Sequence, residues 1–167
     1  MVELFSFLTD KDLFVEIYRN MLAKRLLNLT STSDDAEKSM IAKLKLKCGA
    51  QFTSKLEGML SDLTTAAETE KAFQTWCDDN NRRKELSMEF HVNVLTTGFW
   101  PTYPIQDVTL PGSMTRAVDL FRSHYETKTN HRKLQWVHML GQAEVVFRPT
   151  EGKKYFLTCN TYQALIM

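Results

Sequence analysis

Cysteine is scarce: three residues, Cys48, Cys77 and Cys159, stand far apart with no C-x-x-C pair. That number and spacing exclude the disulfide framework of a small secreted domain and point to free thiols in a reducing compartment, cytoplasm or nucleus. Glycine (6) and proline (4) are few, so low-complexity and fibrous classes are excluded. Neither sign of charge dominates: 21 basic against 20 acidic residues leave +1, which gives no global field for nucleic acid or a membrane surface. No apolar run approaches the roughly 20 residues that span a bilayer, and the N-terminus lacks the basic start of a signal peptide. Nucleotide-binding loops of the G-x-G-x-x-G or G-K-[ST] type are missing as well. No Cys-His-Asn or Ser-His-Asp arrangement suggests itself. What remains is an ordinary globular composition, 43% apolar over 167 residues.

The first half of the chain reads as helix. Thr9-Asp10-Lys11-Asp12 has the form of a capping box, followed by Phe14, Ile17, Tyr18, Met21 and Leu22 at helical spacing. A second start is expected at Asp34-Asp35-Ala36-Glu37, with Met40, Ile41, Leu44 and Cys48 as its buried stripe and Gly49 as its stop. A third begins near Thr53, with Leu56, Met59, Leu60 and Leu63 on one face. Thr64-Thr65 weaken it before Phe73, Trp76 and Cys77 resume the pattern. Three amphipathic helices with short links predict part of an antiparallel bundle. The expected fourth helix is missing or lies upstream, and both ends read as cuts in a longer protein.

The second half changes period. A strand is expected over Glu89–Thr96, ending in the turn Thr97-Gly98-Phe99-Trp100-Pro101. A helix starts at Pro111-Gly112-Ser113, with Met114, Ala117, Val118, Phe121 and Tyr125 inward. Alternating residues then predict strands through Leu134–Leu140, Ala143–Phe147 and Tyr155–Cys159. The fold class expected is α+β: a helical-bundle portion over 1–86, then a small, mainly antiparallel sheet with a packed helix over 87–167. Phe99 and Trp100 are two large rings in need of burial, and they read as a wedge where the parts meet.

Candidate chemistry is sparse. His124, His131 and His138 recur every seven residues and with Cys159 raise a metal site, but the spacing suits one poorly. No metal and no cofactor are expected. Asp34-Asp35 reads as helix capping rather than as a catalytic pair. Binding is better supported. Basic residues gather at Lys24 and Arg25, at Lys43, Lys45 and Lys47, and at Lys128, Arg132 and Lys133; on convergence they would attract an acidic partner. The β-prone run around His91-Val92-Asn93-Val94 reads as a sheet edge open to a partner's strand.

These stretches, taken in order, resemble the cullin family. The matching runs are Tyr18–Leu27, Ser33–Glu37, Met40–Lys45, Cys48-Gly49, Phe52–Met59, Val94–Pro101, His131–Trp136 and Thr161–Leu165. The resemblance implies a non-catalytic scaffold of a ubiquitin ligase, made of the end of a four-helix bundle and an α/β domain. It implies a RING-box protein adding a strand at an edge, for which His91, Val92, Asn93, Val94, Leu95 and Thr96 are the candidates. It further implies a basic groove for a ubiquitin-conjugating enzyme, drawn from Lys24, Arg25, Lys43, Lys47, Arg132 and Lys133. A substrate adaptor would bind through regions outside this chain, as would the neddylation lysine lie outside it. The competing expectation is a cullin-like interaction module that docks no RING subunit.

Overall fold

In a computed structural model, residues 7–28, 33–150 and 152–167 are described. They form five α-helices and one two-stranded antiparallel sheet, an α+β fold. In chain order these are α1 (Lys11–Leu27), α2 (Asp34–Cys48), α3 (Ala50–Asp79), α4 (Gly112–Lys128), β1 (Gln142–Phe147), β2 (Tyr155–Asn160) and α5 (Thr161–Ile166). Single 3₁₀ turns lie at Arg83–Glu85 and His138–Leu140. The described residues group into two compact units: those of Met1–Ala72 with His91–Thr102, and Phe73–Phe90 with Tyr103–Met167. The long helix α3 runs from the first into the second.

In the first unit, capping sets the helix starts, one residue away from the expected positions. Asp10, rather than Thr9, caps α1 by accepting the Leu13 N–H (3.0 Å). Ser33 caps α2 by accepting the Ala36 N–H (3.3 Å), where Asp34 was expected. Gly49 ends α2 at φ +89°, a left-handed value that suits glycine. Thr64 and Thr65 do not interrupt α3: the Thr64 hydroxyl donates to the Leu60 carbonyl one turn back, which keeps the polar group satisfied within the helix. The core consists of Tyr18, Leu22, Ala23, Leu26, Ile41, Leu44, Leu56 and Met59, joined by Trp100 from the later segment. Two residues of the expected α1 stripe turn outward instead: Ile17 and Met21 are each half exposed or more. Ala23 and Leu26 complete the inner face.

The second unit is built on rings. Phe73 lies 5.2 Å from Phe121 and 5.6 Å from His124, while Phe90 and Trp136 meet Phe121 edge-on at 6.5 and 6.1 Å and each other tilted at 6.3 Å. The inner face of α4 is Ala117, Val118, Leu120, Phe121, His124 and Tyr125. β1 pairs with β2 in register Gln142↔Asn160 through Phe147↔Tyr155, and α5 packs against both strands. Asn160 and Gln163 form a reciprocal capping box that starts α5 directly from β2.

Two predicted strands are absent among the described residues. Leu134–Leu140 does not pair; its end closes into the 3₁₀ turn, with Leu140 N–H on the Val137 carbonyl and Gly141 N–H on that of His138. Glu89–Thr96 contains no turn or bend and joins no ladder. Its bonds go sideways, to acidic side chains of α3, and a side-chain oxygen does not continue the regular spacing that a second strand supplies.

Candidate functional site

The segment His91–Trp100 lies along α3, and the reason is legible in α3 itself. Gly58, Asp62, Ala66 and Glu70 recur every four residues, so they form one stripe along the helix. The small members admit the segment closely. A Cβ built on Gly58 would stand 2.5 Å from the Phe99 ring, and Ala66 is buried. The acidic members hold its two ends. Asp62 accepts three donors: the Thr96 N–H (2.6 Å), the Thr96 hydroxyl (2.9 Å) and the Trp100 indole N–H (2.8 Å). Glu70 takes the Nδ1 of His91. Phe99 N–H donates to the Thr96 carbonyl (2.9 Å), closing the turn that brings Trp100 inward. Trp100 is 4% exposed, a ring buried within the first unit with its polar edge satisfied by Asp62.

Between those two ends the segment stays open. Val92 and Val94 are half-buried while His91 and Asn93 are exposed, an alternation that breaks at the half-buried Leu95 and the exposed Thr96. From His91 to Leu95 no backbone–backbone hydrogen bond forms among the described residues. The segment thus runs beside α3 without joining a sheet.

The basic candidates separate into different settings. Lys24, Lys43 and Lys47 are exposed in the first unit, and Lys43 and Lys47 share a face of α2, one turn apart. Arg25 is engaged. Its Nε donates to Glu37 Oε1 (2.6 Å) and its second amine to Glu37 Oε2 (3.0 Å), tying α1 to α2. The Tyr18 hydroxyl donates to the same carboxylate (3.2 Å), and the Arg25 guanidinium stacks 5.5 Å over the Tyr18 ring. Burial, and then the Glu37 charge, push the Tyr18 hydroxyl up to about 12, so it stays a donor at neutral pH. Lys45 is paired with Glu57 of α3 at 3.0 Å. Arg132 and Lys133 are exposed in the second unit, just after His131, which takes a left-handed φ of +63°.

The histidines find different roles. His124 is buried against Phe73, Trp76 and Phe121, and its Nδ1 has no partner there. Burial, with Lys128 adding to it, lowers its pKa from 6.5, so the ring packs as a neutral group. Among the described residues no three His, Cys, Asp or Glu side chains gather as metal ligands. Asp62 and Glu70 hold this segment, and composition did not single them out; the four-residue spacing of Gly58, Asp62, Ala66 and Glu70 was the available signal.

Comparison with known proteins defines the class first. The Cullin alpha solenoid domain matches residues 1–70, and the Cullin alpha+beta domain matches residues 94–167. The particular relatives agree. Cullin-1 of Oryza sativa subsp. japonica and Cullin-2 of Arabidopsis thaliana are each 42% identical over all 167 residues, which is 22% of either relative. Cullin-4A of Mus musculus is 43% identical over 164 residues, 98% of this chain and 21% of the relative. The chain belongs to the cullin family. It spans about a fifth of the length of the curated relatives it matches.

Proposed function

We propose that this chain is part of a non-catalytic scaffold in a cullin-RING ubiquitin ligase, and that it receives a strand of a RING-box protein along His91–Thr96. The observation that supports this most is that His91–Leu95 makes no backbone–backbone hydrogen bond among the described residues while Asp62 and Glu70 hold the segment at Thr96 and His91. A strand already held straight has less conformational entropy to lose when another adds to it. Family membership supports the ligase context. The division into a helical-bundle portion to residue 86 and an α/β portion from 87 belongs to this reading, and the two family matches fall on either side of it.

The same reading gives the exposed lysines a task. Lys24, Lys43 and Lys47 would attract the acidic tail of a ubiquitin-conjugating enzyme, with Arg132 and Lys133 as further candidates. Arg25 contributes less than its charge suggests, because Glu37 balances it. Phe99 and Trp100 would stiffen the turn that follows this segment, against Gly58 and Asp62 of α3. Catalysis by such a scaffold is proximity: it raises the effective concentration of substrate near the charged conjugating enzyme, and no side chain here does covalent chemistry. A substrate adaptor would bind elsewhere in the full-length protein. No described helix is long and apolar enough to cross a membrane, and action in the cytoplasm or nucleus is part of the proposal.

Co-expression with a RING-box protein tests it. The expected result is a co-purifying complex that Val94→Pro weakens at least about tenfold, since proline removes a ladder donor and distorts the strand. No association at micromolar concentration contradicts the reading and favours a cullin-like module without a RING subunit.

A further inference from the structure

The β1–β2 hairpin carries a second edge, distinct from His91–Thr96. Among the described residues the sheet has two strands, so each keeps one side unpaired. Ala143, Val145 and Phe147 share a face with their partners Cys159, Leu157 and Tyr155, and that face is apolar throughout. α5 packs on the hairpin, yet Phe147 and Tyr155 remain about half exposed (48% and 50%). A two-stranded ribbon with such a face is marginal alone and gains from further strands.

The backbone phase says which groups are on offer. Thr161 N–H donates to the Gly141 carbonyl (3.0 Å), and that pair continues the Gln142↔Asn160 register. Odd-numbered residues of β1 therefore turn their backbone groups toward β2, while Gln142, Glu144 and Val146 turn theirs to the free side, with Arg148 next in phase.

We infer that this edge pairs with the same edge of a second copy of the chain, antiparallel about a two-fold axis through Val146. Charge complementarity selects the register. With Val146 at the centre, Glu144 lies opposite the partner's Arg148, and symmetry repeats the pair. On the other face Val145 lies opposite the partner's Phe147, also twice, an apolar match between half-exposed side chains. Centring on Glu144 would set two carboxylates against each other, and centring on Val145 would leave Glu144 opposite a valine. Two hairpins joined in this way make a four-stranded sheet with a continuous apolar face. The inference does not rest on the proposed function.

Sedimentation equilibrium of the 167-residue chain tests it, with circular dichroism to check folding. A dimer at micromolar concentration is expected. Arg148→Glu places like charges opposite each other twice and should weaken dimerisation at least about tenfold. The double variant Glu144→Arg with Arg148→Glu restores the complementarity and should restore the dimer. A wild-type monomer throughout the micromolar range overturns the inference, as does a dimer indifferent to Arg148→Glu or one that the double variant does not recover.

Discussion

The first unit is fastened by carboxylates, the second by rings. In the first, the links between separate elements end on Glu37, Glu57, Asp62 and Glu70, with donors from Arg25, Tyr18, Lys45, Thr96, Trp100 and His91. In the second, Phe73 and Phe121 stand at the centre of a cluster that includes Phe90, Trp136 and a neutral imidazole. The contrast is one of direction against area. A hydrogen-bonded carboxylate fixes where a segment lies and can leave the neighbouring backbone out of any ladder, as at His91–Leu95. An aromatic cluster stabilises by buried surface and tolerates several ring angles. A segment that must stay open to a partner is better held by the first means.

Substitutions that attack area should cost most. Phe121→Ala removes the central ring of the second unit and should lower unfolding stability by about 4 kcal/mol, followed by denaturant titration with tryptophan fluorescence. Glu37→Ala strips Arg25 and Tyr18 of their shared acceptor. Because Arg25 is partly exposed, the expected loss is smaller, about 2 kcal/mol by the same titration, and a change within error would show the pair to be incidental. Gly58→Ala should cost roughly 1–2 kcal/mol by pushing on the Phe99 ring. Phe99→Leu in the same chain should recover part of it, whereas simple additivity would mean the two residues do not meet. Trp100→Phe keeps the ring but loses the donor to Asp62, and about 1 kcal/mol is expected.

The smallest effect is a dependence on pH. His124 has a folded-state pKa below 6.5, so between the two values the unfolded chain binds more protons. The stability that the neutral imidazole confers is complete above about pH 6.5 and declines as pH falls toward the folded value. His124→Phe should flatten this acid-side slope, read from denaturant midpoints at a series of pH values. An unchanged slope would place its origin elsewhere.

Much of the helical half was legible in the residues. Periodicity located all three helices, and Gly49 stopped α2 as expected, because these are local effects of spacing and backbone freedom. Ile17 and Met21 were misassigned to the core since an apolar stripe records what could be covered and not what is covered within this chain. The strand expected at Glu89–Thr96 did not form among the described residues, since alternation cannot supply the neighbouring strand that a ladder needs. Asp62 and Glu70 escaped notice because an acidic residue on a helix reads as solvated. Their function follows from donors 21 to 38 residues away in sequence, beyond the reach of local pattern.

Amide hydrogen exchange across His91–Leu95, alone and with a RING-box protein, tests the central claim most directly. The unbonded amides should exchange fast in the free chain, as exposed backbone does. In the complex, alternate amides should become protected, as addition of one strand requires. Fast exchange that the RING-box protein leaves unchanged, in a complex that nevertheless forms, would contradict the claim that this segment receives the strand.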